Sequence, residues 1–370
     1  MPTSDLIAEP VAIEACDCLT PLGDAAATCA ALLAGRSALQ PQPVQGAGGG
    51  DLVPLALCSP MAETVPPRWL PFVRQLAARL PDAGWGRPGR PVFVTSSNFG
   101  VGSLHAFVRD GDASHLPYGV PHRAVEFLTR ELGWGPEVFV LSHACVSAHL
   151  GVLLATRHLH AGLADRALVF SFDFLSPFVT GGFHSLKILN AGFPAPYAVR
   201  ETGSIGLGDG TAFAVLARTG GRARIAAQAV YNEMFHFTSN RPDGTGFADC
   251  IRPLVPLLAG RRPWIKGHGT GTLEAGRLEA AAFAQLLPGA PLVSWKGALG
   301  HTLGSCGLVE LALALAARDA GRIPGTIGST APVFSPAVAL ASFAAADHDT
   351  ALLASNAFGG AHAALLLDHG

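Results

Sequence analysis

The chain has 370 residues, of which 49% are hydrophobic and 14% charged, with a formal charge of −2. This length and composition suit one large domain or two small ones around a dry core, and the charge argues against general nucleic-acid binding. No run of about 18 uncharged apolar residues occurs, so no membrane span is expected; residues 1–6 lack a basic flank and apolar core, so no signal peptide is read and a cytoplasmic location is expected.

In chain order, residues 40–68 are rich in Pro, Gly and Ala and read as a surface excursion. Residues 91–95 read as a buried strand, 124–132 as a helix, 137–141 as another buried strand, 146–161 as a helix and 167–172 as a strand. The second part repeats this grammar. Strands are expected at 224–230, 264–265 and 291–295, helices at 278–287 and 303–318, and a closing strand pair at 350–355 and 361–367. Short apolar strands alternating with helices predict an α/β layered fold. The pairs 137–141/145–161 and 291–295/303–318 each place a reactive residue between strand and helix, which suggests a duplicated unit.

Seven cysteines (16, 18, 29, 58, 145, 250 and 306) form an odd, scattered set that favours reduced thiols over a disulfide framework. Cys16 and Cys18 form a C-x-C pair with no second pair. They read as small buried side chains, and no metal site is expected.

Three polar clusters carry chemistry. In His143-Ala-Cys145, the cysteine follows a strand and opens a helix, where first-turn amides and the helix dipole favour a thiolate and can hold an oxyanion. In Gly267-His-Gly-Thr-Gly-Thr272, alternating glycines let backbone approach a ligand, and His268 can donate to a carbonyl or move a proton. No Gly-Lys-Ser/Thr ends that run, which disfavours a phosphate-binding P-loop. In the third cluster, Lys296 and His301 stand five residues apart, and Glu310 lies in the apolar run that follows. A buried carboxylate needs a partner, and Lys296 is the natural one.

At these residues the chain resembles the decarboxylating Cys-His-His β-ketoacyl-acyl-carrier-protein synthases. The resemblance covers nearly the whole chain. Leu19-Thr-Pro-Leu-Gly23, the Lys296/His301 segment, Glu279 after the histidine loop and Ser355-Asn-Ala-Phe-Gly-Gly360 extend it. It implies a thiolase-like fold of two pseudo-symmetric α/β halves, 1–220 with Cys145 and 221–370 with His268, Lys296 and His301, in five αβαβα layers. It implies a decarboxylative Claisen condensation between acyl-Cys145 and a malonyl-carrier protein, in fatty-acid-like or polyketide-like synthesis, aryl polyenes included. His268 and His301 would polarise the malonyl thioester, with backbone N–H groups at Cys145 and Phe358 holding the oxyanion. Lys296 and Glu310 would set the electrostatics, and Thr270, Thr272, Phe358 and Gly359 would contact the substrate.

No covalently bound cofactor is implied, since the phosphopantetheine arm arrives on the acyl carrier protein. Arg252, Arg261, Arg262 and Lys266 are candidates for the carrier's landing patch. A homodimer, or a heterodimer with a related ketosynthase subunit, is implied, with the helix at 124–132 reaching the partner's acyl pocket. The chain departs from the family at Ala275-Gly276, at His143 and Val146, at Tyr197-Ala198 and in a Phe358 turn two residues short. A chain-length-factor-like partner subunit is the alternative. Such partners usually lack the cysteine, so Cys145, His268, Lys296 and His301 together favour the enzyme. A degradative thiolase normally adds a C-terminal cysteine, but the last one here is Cys306.

Overall fold

The computed structural model describes residues 5–44 and 50–368. Most of the segment that was read for a signal peptide, residues 1–4, lies outside them. Ten strands build the frame: β1 (Val11–Thr20), β2 (Val92–Thr95), β3 (Val138–Leu141), β4 (Arg166–Asp173), β5 (Gly210–Ala217), β6 (Ala223–Asn232), β7 (Pro263–Lys266), β8 (Leu292–Val293), β9 (Thr350–Ala357) and β10 (Ala361–Asp368). The first five lie in the order 1-5-4-2-3 and the last five in the order 6-10-9-7-8, the same order twice. The pairing senses also repeat. β1–β5 and β5–β4 are antiparallel while β4–β2 and β2–β3 are parallel. Likewise β6–β10 and β10–β9 are antiparallel, and β9–β7 and β7–β8 parallel. The two sets join where residues 223–225 of β6 run antiparallel to residues 11–13 of β1. The expected boundary at 220/221 falls in the turn between β5 and β6.

Helices cover the sheets in layers. The helices that position the site are α1 (Leu70–Ala77), α2 (Pro121–Glu131), α3 (Ser147–His160), α4 (Thr245–Ile251), α5 (Leu273–Leu286) and α6 (Cys306–Asp319). α1 and α2 pack outside the first strand set around Trp69, Leu76, Leu128 and Phe172. α4 and α5 pack outside the second around Tyr231, Ile251, Phe283 and Leu366. Between the sheets, α3 touches β4, β2 and β10, while α6 touches β1, β5 and β9 as well as α3. These are the five αβαβα layers of a thiolase-like fold. Sheets covered on both faces call for continuous apolar strands, and residues 167–173 of β4 are all buried.

The middle layer is packed closely because small residues line it. Ala148, Ala155, Ala312, Ala314 and Ala317 sit in one core with Val152, Leu311 and Leu313. Gly307 at the start of α6 lies so near α3 that a Cβ there would meet Nδ1 of His149 at 2.4 Å.

Three expectations change. Strand 137–141 is not buried: β3 is the edge of the sheet, and Phe139 and Val140 are 41% and 40% exposed. Segment 40–68 is more than a surface excursion. Gln40–Pro43 and Leu52–Ala56 pair with each other, Leu52–Ala56 also pairs with Leu207–Gly208, and Val53 and Leu55 are buried. The helix expected at 278–287 begins earlier, at Leu273, because Thr272 is extended and the chain turns helical directly after it.

Candidate active site

Cys145 sits in the turn between β3 and α3. The residue before it, Ala144, has φ 45°, a left-handed conformation that a non-glycine residue adopts under strain. Ser147 braces this turn: its hydroxyl donates to the Ala144 carbonyl at 2.6 Å and accepts the His143 N–H at 2.8 Å. Burial pushes the Cys145 thiol well above its ordinary value, with Cys306 adding to the effect and Lys296 opposing it. The thiol therefore rests protonated. Its partner is His301, whose Nε2 lies 3.0 Å from Sγ. That contact lets the imidazole take the proton when an electrophile arrives.

His301 is held by the first half of the chain. Its N–H donates to the Gly206 carbonyl at 2.7 Å, and its carbonyl accepts the Gly208 N–H at 3.0 Å. His268 faces it, ring centroids 4.9 Å apart and nearly perpendicular. Burial, followed by Lys296, drives both imidazoles far below their usual range, so both are neutral. Each Nδ1 is buried with no hydrogen-bond partner among the described residues. Two neutral imidazoles aimed at one space can each offer one N–H to a developing oxyanion.

The histidine loop leaves β7 and turns through Gly269 (φ +35°) and Gly271 (φ +101°), where glycine adopts the left-handed region at little cost. Glu279 on α5 holds this loop. It accepts the N–H of His268 at 2.6 Å, the N–H of Gly269 at 2.9 Å, the Tyr197 hydroxyl at 2.9 Å and the Asn356 amide at 3.2 Å. Ser294 ties the same loop to the lysine segment, donating to the Gly269 carbonyl at 2.7 Å while accepting the Lys296 N–H at 3.3 Å.

Beneath the imidazoles lies a buried charge cluster. Lys296 Nζ is 2.5 Å from Glu310 Oε1, as expected, but Lys266 bonds the same oxygen from the end of β7. Burial works to discharge Lys296, but Glu310, Cys306 and the hydrogen bonds around its Nζ together outweigh it and hold the lysine above its ordinary value. Burial dominates at Lys266, pushed down to about 8 although Glu310 opposes this. Lys266 is 0% exposed and so cannot belong to a carrier landing patch. Of the other candidates, Arg261 and Arg262 face Asp349, Arg261 also pairs with Asp368 at 2.5 Å, and Arg252 stands 3.7 Å from Asp249.

A cavity of about 370 Å³ opens onto this chemistry. Cys145, His268 and His301 form its reactive end, Thr270, Thr272 and Glu274 line another side, and Phe183, Ile205, Leu278 and Phe358 supply apolar wall. Lys296 and Glu310 stand behind this lining. Gly359, expected to meet substrate, is not part of it, and its N–H donates to the Phe237 carbonyl at 2.9 Å. Among the described residues no group of three or more His, Cys, Asp or Glu could hold a metal ion, and no helix is long and apolar enough to cross a membrane.

With the geometry in place, comparisons with known proteins bear on it. The β-ketoacyl synthase C-terminal domain matches residues 222–330. The ketoacyl synthase alpha subunit of the tetracenomycin polyketide synthase of Streptomyces glaucescens is 31% identical over 233 residues, covering 55% of this chain and 54% of that protein. The 3-oxoacyl-[acyl-carrier-protein] synthase 2 of Rhizobium meliloti is 26% identical over 335 residues, 78% of this chain and 77% of the relative. Residues 222–330 thus match a β-ketoacyl synthase domain, and the chain is similar to β-ketoacyl synthases beyond it. Solved structures extend the fold over the full length. A chain from the complex of a ketosynthase with its chain length factor from Xenorhabdus doucetiae superposes with TM-score 0.79 at 22% identity, covering 97% of this chain and 98% of that one. A β-ketoacyl synthase from Burkholderia phymatum gives 0.80 at 20% identity, covering 97% and 99%.

Proposed function

We propose that this protein catalyses decarboxylative condensation between an acyl group carried on Cys145 and a malonyl-acyl-carrier protein. The observation that carries the reading is the 3.0 Å approach of His301 Nε2 to the Cys145 thiol at the end of a cavity shared with His268. In the first half-reaction His301 takes the thiol proton and Cys145 attacks the acyl thioester. The carbonyl-to-sulfur bond of the donor breaks, and the carrier's thiol leaves with that proton. Backbone N–H groups at Cys145 and Phe358 hold the oxyanion. In the second, His268 and His301 donate hydrogen bonds to the malonyl thioester oxygen. The bond to the carboxylate breaks, CO2 leaves, and its electron pair becomes the enolate. The enolate carbon attacks the acyl carbonyl, the bond to Cys145 breaks, and the thiolate takes up one proton from water. Lys296 and Glu310 hold the field around His301, and Thr270, Thr272 and Phe358 contact the phosphopantetheine arm, which belongs to the carrier.

Two halves, 1–220 and 221–370, build this site jointly in our reading. The partner is a second thiolase-fold subunit, identical or related, docked along the exposed edge strand β3. The solved complex of a ketosynthase with a chain length factor supports that kind of pairing. Products of fatty-acid-like or polyketide-like pathways, aryl polyenes among them, suit the mixed apolar and polar lining of the cavity. The test is to incubate the protein, alone and with candidate partner subunits, with acyl- and malonyl-carrier proteins. Mass spectrometry should find acyl-Cys145 and carrier-bound 3-ketoacyl product. Neither acylation nor malonyl decarboxylation under any pairing would sink the enzyme and leave the structural partner subunit.

A further inference from the structure

Lys266 is a lysine with no role in the chemistry above, yet it is fully buried within the charge cluster. Its Nζ donates to the carbonyl of Gly267 at 2.8 Å, the residue before His268, and pairs with Glu310 Oε1. Lys296, at the start of the segment that carries His301, pairs with the same oxygen. One carboxylate oxygen thus links the two histidine-bearing segments through two lysines.

We propose that Lys266 is a positioning residue for His268, clamping the histidine loop to Glu310 and so fixing the two imidazoles relative to each other. Stability does not explain it. Two buried cations on one anion leave a positive charge unmatched, and burying a charge without a full partner is costly. Removing Lys266 would leave Lys296 and Glu310 as a balanced pair. A lysine kept at that cost needs a task, and its bonds go to the His268 loop rather than to Cys145. The Cys145–His301 contact has its own supports at Ser147, Gly206 and Gly208. Lys266 also adds to the field that keeps His268 neutral, together with Lys296, His301 and His149.

This inference rests on the condensing-enzyme reading for its consequence, and the test separates the two. In Lys266→Met, alkylation of Cys145 by iodoacetamide stays within about twofold of wild type, while malonyl-carrier decarboxylation falls at least about tenfold, as a misplaced hydrogen-bond donor demands. A protein merely loosened throughout would lose both. A second readout needs no carrier. The Hε1 resonance of His268, read at a fixed pH near 7 where the ring is neutral, shifts in the variant as the histidine loop is released from Glu310. Lys266→Gln, which offers a donor but not the charge, should recover decarboxylation above the methionine level, and Lys266→Leu gives the same loss if the methionine variant does not fold. If wild type lacks decarboxylation, the enzymatic reading fails and the resonance decides on Lys266. A His268 resonance unmoved in the folded variant, or decarboxylation equal to wild type, overturns the proposal.

Discussion

In the proposed reaction Cys145 is the nucleophile, although burial keeps its thiol protonated. The 3.0 Å contact with a neutral His301 reconciles the two, because the proton has an acceptor only at the moment of attack. The residues that set this up differ in how visible they are in sequence. Cys145, His268, Lys296, His301 and Glu310 stand in short patterns with glycines between them, and the structure brings them together. Lys266 reads in sequence as a surface cation and Tyr197 as a departure because their carboxylate partners, Glu310 and Glu279, lie far along the chain. Ser147, whose partners His143 and Ala144 are local, was not singled out. Lys266 left one signal: a lysine at the end of a short apolar strand, Trp264-Ile265, is placed for burial if the strand is. Tyr197, read as a departure from the family, is a brace. Its hydroxyl donates to Glu279, and a Cβ on Gly267 would collide with that oxygen at 2.2 Å. Tyr197→Phe should cost about 1 kcal/mol, the worth of one hydrogen bond, since Glu279 keeps its two backbone donors. Urea unfolding measures this, and a variant as stable as wild type would remove Tyr197 from the brace.

At the scale of elements, the strand-helix alternation was legible because buried strands read as apolar runs and α3 and α6 as apolar helices. Edge and centre were not legible. β3 carries Val-Phe-Val-Leu, a composition that suits an interior strand, and only the sheet order shows that it lies outermost. An outer strand that exposes apolar side chains and unpaired backbone groups invites pairing with another chain. Charging it with Phe139→Glu and Val140→Lys should therefore shift the proposed assembly to monomer in light scattering. The variant's circular dichroism should match wild type, because Phe139 and Val140 are already half in solvent. An unchanged mass would place the subunit interface on another surface.

At the scale of the whole molecule, the buried histidines set an acid limit. Burial pushes His149 down to about 4 and drives His268 and His301 far lower than their usual range. An unfolded histidine titrates near 6.5. As pH falls below that, the unfolded chain binds protons that the folded sites refuse, so stability declines. His149 alone loses about 3 kcal/mol between pH 6.5 and 4, at roughly 1.4 kcal/mol per unit. Asp173 works in the opposite sense. Burial, opposed by hydrogen bonds from Ser96, Ser97 and Asn98, lifts it to about 6, so the folded form takes up that proton first and gains stability as pH drops. Three histidines outweigh one aspartate. The urea midpoint should fall between about pH 7 and 5, and His149→Gln should flatten the slope. A midpoint that holds or rises on acidification would contradict this.

The close approach of Gly307 to His149 has a consequence for how finely the reaction is gauged. Cys145 rides just ahead of α3, and His301 just ahead of α6. The helices touch where Gly307 has no side chain, with only 2.4 Å between the site of a would-be methyl and the imidazole. One added carbon would press on the His149 imidazole, between the helix that follows Cys145 and the helix that follows His301. A folded, fully paired protein could then be silent, because a thiol and an imidazole made to meet at 3.0 Å would no longer reach each other. The working distance of the enzyme is set in part by an atom that is missing.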